Sequence, residues 1–183
     1  MRKIICLTGV SGVGKGYTAK KYCELKPSTI HLVASDILKA ELKQEKETLR
    51  ASQKDKLENN QKILVKAFKR SLEKLPSDIA VIFDCHMLID NNHGLVQIPL
   101  HVFKDTNISQ MVFIYDAPSV ILERRKSDIG RVRPERSESD IEAQQAKALK
   151  IAKSYAAQLN IPINVISPCL EELKEVTNKF AIE

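Results

Sequence analysis

The sequence predicts a three-layer α/β domain built on a five-stranded parallel sheet. Three observations carry this expectation. Five short apolar runs, at residues 2–8, 29–34, 79–84, 111–116 and 163–166, alternate with segments of helical character, and such alternation packs helices on both faces of a parallel sheet. The third run, Ile79-Ala80-Val81-Ile82-Phe83-Asp84, is nearly all apolar and closes on an acid. That is the profile of a central strand delivering a carboxylate to the carboxyl edge of a sheet. The first run passes at once into a glycine-rich turn and a lysine. At 183 residues the chain has the length of one domain, and it shows no internal repeat, low-complexity segment or second-domain boundary.

Composition narrows the function classes. Hydrophobic residues are 43% and charged ones 28%, so a packed core is affordable and disorder is not expected. No apolar run approaches membrane-spanning length. The short run after Met1-Arg2-Lys3 leads straight into the glycine turn, so a signal peptide is not expected and a cytoplasmic location is. Cys6, Cys23, Cys85 and Cys169 are scattered without metal-ligand spacing and read as reduced thiols, Cys6 and Cys85 buried within apolar runs. The net charge of +6 suits either nucleic acid or a site for several phosphates. Its distribution favours the second. The arginines cluster between 124 and 136, whereas the lysines of 39–74 interleave with glutamates as on a solvated helix face.

The turn after the first strand is Gly9-Val10-Ser11-Gly12-Val13-Gly14-Lys15-Gly16. Strand, glycine-rich turn, lysine and helix form the cradle for a nucleoside polyphosphate. Glycines let several backbone N–H groups point at one anion, and Lys15 adds a mobile positive charge for the outer phosphates. Gly9, Gly12, Val13, Gly14, Lys15, Gly16 and Tyr17 are therefore the nucleotide-binding candidates. Gly16 stands where the general motif has a Ser or Thr for Mg²⁺. Either water and phosphate hold the metal, or Thr18 or Ser11 compensates, or the loop is inactive.

The first helix runs to about residue 25 and Pro27 ends it. After the strand 29–34, Ser35 or Asp36 is either a helix N-cap or, for Asp36, a carboxylate beside the phosphate site. Residues 37–75 read as polar helix, amphipathic in the second half through Leu57, Leu64, Phe68, Leu72 and Leu75. Arg50 lies between the two parts, either solvated or functional. Asp84, at the strand end, can order water around Mg²⁺. His86, two residues on, points the same way if the strand continues, and is otherwise a structural histidine.

Residues 87–98 read as a hairpin around an Asn/Gly-rich turn, a candidate wall for an acceptor pocket, with a short helix over 100–104. After the strand 111–116, Pro118 suits the first turn of a helix over 119–126. Arg124, Arg125, Lys126, Arg131, Arg133 and Arg136 then crowd around Gly130 and Pro134. Phosphoryl transfer is chiefly positioning and charge neutralisation, and arginines on a closing segment supply both. A solvent-exposed or RNA-binding loop is the alternative. Ser139-Asp140 is expected to cap a helix through Leu159 with Ile141, Ala148, Ala152 and Leu159 inward, and a last strand and helix close the chain. The right-handed crossover rule brings the loops after the first four strands to one edge, where Lys15, Asp36, Asp84, His86 and the arginine loop converge.

With these stretches in view, the chain resembles the P-loop nucleoside monophosphate kinases, most closely archaeal-type adenylate kinases. Four stretches carry the resemblance: Thr8 to Gly16; Leu49-Arg50 with Gln61-Lys62; Val81 to His86 with Gly94 and Pro99-Leu100; and Ile121 to Arg125 with Arg131-Val132-Arg133, Ile141-Glu142 and Gln145. The chain departs from the family at Ser11 (usually Pro), Tyr17 (usually Thr) and Pro134 (usually Asp). Gly after the lysine is common in adenylate kinases, so Gly16 reads as a family feature.

The resemblance implies a P-loop nucleoside monophosphate kinase fold over 1–183, an acceptor-binding helical segment at about 36–75 and a lid at about 126–138. It implies ATP and Mg²⁺, with Mg²⁺ held mainly by phosphates and by water on Asp84. Lys15 would bind the donor phosphates. Arg124, Arg131 and Arg133 would stabilise the transferring group, and Arg50 would hold the acceptor phosphate. Asp36 and His86 would shape the acceptor side. Small nucleotides are the expected partners, AMP the foremost acceptor, and nucleic acid is not favoured. A hydroxyl acceptor (a small molecule or a polynucleotide 5′-OH) and a nucleotide-dependent RNA- or ribosome-binding switch are the alternatives. The sequence marks no oligomer interface.

Overall fold

The computed structural model describes residues 2–42, 54–91, 94–130 and 133–179. Strand β1 (Ile4–Thr8) leads into helix α1 (Lys15–Leu25), and β2 (Thr29–Val33) into α2 (Ala34–Leu42). Helix α3 (Lys54–Glu73) precedes β3 (Ala80–Asp84) and a hairpin of β4 (Leu88–Asn91) and β5 (Gly94–Gln97). Then come α4 (Leu100–Asp105), β6 (Gln110–Ile114), α5 (Pro118–Ser127), α6 (Glu138–Leu159), β7 (Ile163–Ile166) and α7 (Leu170–Asn178).

Five strands form one parallel sheet in the order β2-β3-β1-β6-β7, as expected, and β4 pairs with β5 antiparallel outside it. Strands β1 and β6 are buried along their whole length, as their apolar runs Ile4-Ile5-Cys6-Leu7 and Met111-Val112-Phe113-Ile114 require. Side chains alternate between the faces. Ile4, Cys6, Val81 and Phe83 pack under α2, α3, α4 and α6, with Phe68 and Phe83 at 4.3 Å between ring centroids. Ile5, Leu7, Ile82 and Val112 pack against α1, α5, the start of α6 and α7. Tyr155 of α6 ties the hairpin end to this framework, its hydroxyl donating to Ile98 O at 2.9 Å and accepting from Gln97 Nε2 at 2.7 Å.

Two local expectations change. Helix α2 starts at Ala34 directly from β2, so Ser35 and Asp36 lie inside its first turn rather than capping it. An acid there still faces the positive end of the helix dipole. Helix α6 is capped by Ser137, not Ser139. The Ser137 Oγ accepts from Asp140 N at 3.1 Å and Asp140 Oδ2 accepts from Ser137 N at 2.9 Å. This reciprocal pair satisfies two donors that would otherwise be orphaned, and the Ser137 backbone bond holds the Asp140 carboxyl below its usual range. Cys6 and Cys85 are buried free thiols with Sγ atoms 3.2 Å apart. Among the described residues no helix is long and apolar enough to cross a membrane.

Candidate active site

The turn between β1 and α1 has the backbone that its glycines permit. Gly9, Gly12 and Gly14 have φ of 146°, 86° and 106°, a region that L side chains rarely adopt. A Cβ on Gly9 would lie 2.6 Å from Ile114 O of β6, and one on Gly12 would lie 2.8 Å from Arg125 Cγ. Gly14 is the N-cap of α1 and offers no side-chain hydrogen bond to it. The first N–H groups of α1 are thus left for an anion. Val13 is buried beneath the turn. Lys15 is only 6% exposed, and its Nζ donates to Gly9 O at 3.0 Å and Val10 O at 3.1 Å.

Asp84 ends β3 beside this turn, 8% exposed. Burial pushes its carboxyl pKa up, but the Lys15 charge, a contact with His31 and the nearby His86 outweigh that and hold it below the usual carboxylate range. His31 Nε2 is 3.4 Å from Asp84 Oδ2, within ion-pair range but not aligned as a hydrogen bond. His86 Nδ1 lies 2.9 Å from Gly9 O, so the hydrogen-bond pattern assigns the proton to Nδ1. A Cβ on Gly16 would come no nearer than 3.9 Å to Asp84 Oδ2, so the missing hydroxyl leaves space beside a carboxylate.

The two hydroxyls that could stand in for it are engaged elsewhere. Thr18 is buried and donates from Oγ1 to Gly14 O at 3.2 Å. Ser11 Oγ accepts from Arg133 Nε at 3.2 Å. Among the described residues no group of three or more His, Cys, Asp or Glu could hold a metal ion. The buried carboxylate of Asp84, held below the usual carboxylate range beside Gly16, has the chemistry to order water around Mg²⁺.

Arginines from α5 and the segment after it turn inward onto the glycine turn. Arg124 Nη1 donates to Val13 O at 3.2 Å and to Asp116 Oδ2 at 2.7 Å. Arg125 Nε donates to Ser11 O at 2.8 Å. Arg133 is 8% exposed at its side chain and pairs with Asp128, while its Nη1 is buried without a hydrogen-bond partner among the described residues. Asp128 thus supplies a carboxylate for Arg133, which Pro134 follows. Further along, Asp90 of β4 accepts from Arg136 Nη2 and from Gln144 Nε2, both at 2.9 Å, joining the hairpin to the segment before α6 and to α6 itself.

A cavity of about 560 Å³ runs from the glycine turn to the space between α2, α3, α4 and the hairpin. Gly12, Gly14, Lys15, Gly16, Asp84, His86, Arg124 and Arg133 line it, as does Tyr17, 69% exposed at its edge. Asp36 does not: it is exposed in the first turn of α2, and its neighbour Ser35 lines the cavity instead. Arg50 and Arg131 lie outside the described residues. Arg125, His31, Asp90 and Asp128 were not singled out by sequence reasoning as separate site residues. Arg125 carried a signal as a member of the arginine cluster; the other three have ordinary local contexts.

A protein-family model described as AAA domain matches residues 8–142. No curated protein matches the chain. Among solved structures, shikimate kinase from Bacteroides thetaiotaomicron is similar, with a TM-score of 0.52, 14% sequence identity, and coverage of 88% of this chain and 86% of that one. At that identity the likeness concerns the fold.

Proposed function

We propose that this chain, which belongs to the AAA domain family, is a phosphotransferase that moves the γ-phosphoryl group of ATP to a nucleoside monophosphate, AMP foremost. The observation that carries this reading is the convergence of Arg124, Arg125 and Arg133 on the glycine turn that holds Lys15. A transferring phosphoryl group needs fixed positive charge and N–H donors around it, and little covalent chemistry. The α1 N-terminus and Lys15 would hold the donor β- and γ-phosphates. Arg133, with an unsatisfied buried Nη1, would turn that N–H to the transferring group, and Arg124 would neutralise the leaving ADP. Mg²⁺, when bound, neutralises phosphate charge, and Asp84 would hold its water shell.

An acceptor phosphate oxygen attacks the γ-phosphorus, the bond to the β–γ bridging oxygen breaks, and ATP and AMP become two ADP. No base is required, because the acceptor oxygen is already anionic. A hydroxyl acceptor would need one, and Asp36, the candidate for that role, is exposed outside the cavity. The inward turn of Arg125 and Arg133 also leaves less of the basic segment to dock RNA.

The test is a coupled assay for ADP with ATP alone and with AMP, CMP, UMP, shikimate or a 5′-OH oligonucleotide. ADP formation dependent on a monophosphate, AMP above the rest, is expected. Arg133→Ala should lower turnover about 10³-fold. Arg131→Ala and Arg133→Ala both within a few fold of the natural chain would refute the lid assignment, and turnover only with a hydroxyl acceptor would refute the reaction class.

A further inference from the structure

The middle residue of β2 is a histidine, His31, flanked by Ile30 and Leu32. It pairs in register with Ile82, two positions before Asp84. Its side chain therefore shares the α1 face of the sheet with Ile82 and Asp84, while Ile30 and Leu32 pack on the opposite face. The imidazole is 18% exposed at its side chain, yet its Nε2 is buried and has no hydrogen-bond partner among the described residues. A buried ring nitrogen in that state is costly, and an apolar side chain at the same place would carry no such cost.

The charged group within ion-pair range of that nitrogen is the Asp84 carboxylate, with Oδ2 at 3.4 Å. A carboxylate only accepts, so the pairing assigns the His31 proton to Nε2. The same oxygen borders the space beside Gly16, 3.9 Å from where a Cβ would stand. The other two basic groups near Asp84 are directed to the glycine turn. Lys15 Nζ donates to Gly9 O and Val10 O, and His86 Nδ1 donates to Gly9 O. His31 reaches Asp84 from β2 and does not line the cavity.

The terminal torsion of an aspartate is broad and fixes no single plane for its two oxygens. A carboxylate that orders metal-bound water is held in its plane by an outer partner. Closing the gap from 3.4 Å to the ~2.9 Å of an ordinary N–H···O bond takes a shift of about half an ångström. With Oδ2 so fixed, the remaining lone pairs of the carboxylate are left for water.

We propose that His31 is a positioning residue, whose Nε2–H fixes the Asp84 carboxylate in the plane that orders water around Mg²⁺ beside Gly16. This rests on the reading of Asp84 as the group that holds the water shell.

The experiment uses the full chain with ATP. Mn²⁺ replaces Mg²⁺, so that bound metal is followed by electron paramagnetic resonance. Calorimetry in EDTA gives the affinity for metal-free ATP. His31→Phe keeps a ring and removes the donor. It should weaken Mn²⁺ binding to the protein–ATP complex about 10-fold, the lower end of the loss on removing an outer partner. Metal-free ATP affinity should not change. The Mg²⁺ concentration for half-maximal turnover should rise by the same factor, and the rate at saturating Mg²⁺ should recover. His31→Gln returns an N–H within reach of Oδ2 and should restore most of the metal affinity. A merely structural role would move metal-free ATP binding as well and would not follow the donor.

Natural Mn²⁺ affinity in His31→Phe would overturn the inference, as would an equal loss in His31→Phe and His31→Gln. Asp84→Asn, run alongside, separates the two claims. If it weakens Mn²⁺ binding and His31→Phe does not, the His31 assignment falls and Asp84 keeps its role. If Asp84→Asn also leaves Mn²⁺ binding unchanged, both fall. The metal readout needs no acceptor, so the inference stands if AMP proves not to accept phosphoryl. Absence of ATP binding to the natural chain would overturn the inference and the kinase reading together.

Discussion

Replacing Lys15 with methionine should uncover the electrostatic coupling beneath the glycine turn. Methionine keeps the length and the apolar stem and removes only the charge. The backbone acceptors stay served: Gly9 O keeps the His86 Nδ1–H at 2.9 Å, and Val10 O keeps Val13 N at 3.4 Å. The loss therefore falls on Asp84, which is 8% exposed. Burial alone would raise its pKa, and the Lys15 charge is the largest influence holding it down. Leaving a buried carboxylate without the opposite charge that offsets its burial costs a few kcal/mol, up to ~3–5 where the two form a direct pair. His31 and His86 remain beside Asp84, so about 2–4 kcal/mol at pH 7 is expected.

The pH dependence gives the test its edge. In the natural chain the folded pKa of Asp84 is depressed. Its ionisation contributes stability that is present above the unfolded value of ~3.9 and is lost as pH falls through the folded value. In Lys15→Met the folded pKa should rise above the unfolded one, so the buried carboxylate destabilises at neutral pH and ceases to do so once protonated. The stability gap between the two proteins should therefore be wide at pH 7, begin to shrink as pH falls through the raised folded pKa of the variant, and close below the depressed value of the natural chain. Urea unfolding followed by circular dichroism across that range measures it. A gap that does not change with pH would refute the coupling of Lys15 to Asp84. Phosphoryl transfer should be lost at every pH.

Two further perturbations test the framework. Gly9→Ala combines a φ of 146° with a Cβ 2.6 Å from the Ile114 carbonyl oxygen of a central strand. It should cost about 3 kcal/mol or more and abolish ATP binding; calorimetry that found the natural melting temperature and affinity would contradict the turn geometry. Tyr155→Phe removes a hydroxyl bonded to Ile98 O at 2.9 Å and Gln97 Nε2 at 2.7 Å while the ring stays against Phe103. A loss of about 1–2 kcal/mol with an unchanged denaturant slope is expected, and no measurable loss would show that the hydroxyl does not anchor the hairpin.

Much of the candidate site was legible because its signals are local. The glycine spacing dictates a backbone, and Asp84 follows a run too apolar to be anything but a central strand. The start of α6 was also readable: Ser137-Glu138-Ser139-Asp140 contains the S-x-x-D spacing of a capping box, which favours Ser137 over Ser139. Asp36 stayed ambiguous in the sequence because an acid after a strand looks the same whether it ends the strand or enters a helix. Only the direct passage from β2 to α2 turns it out of the cavity. Asn60 looks like an ordinary polar residue of a charged helix, and its burial depends on what α3 packs against.

Periodicity, glycine spacing and charge clustering by themselves determined the sheet, the phosphate-binding turn and the presence of a basic segment, since each depends on residues near one another in the chain. Tertiary structure decided which of those charges meet. Arg125 reaches Ser11 across 114 positions and Arg133 reaches it across 122. His31 and Asp84 become neighbours only because β2 pairs with β3. Such contacts follow from the crossover order of the strands and from the way α5 and the segment after it fold back, and no local pattern encodes either.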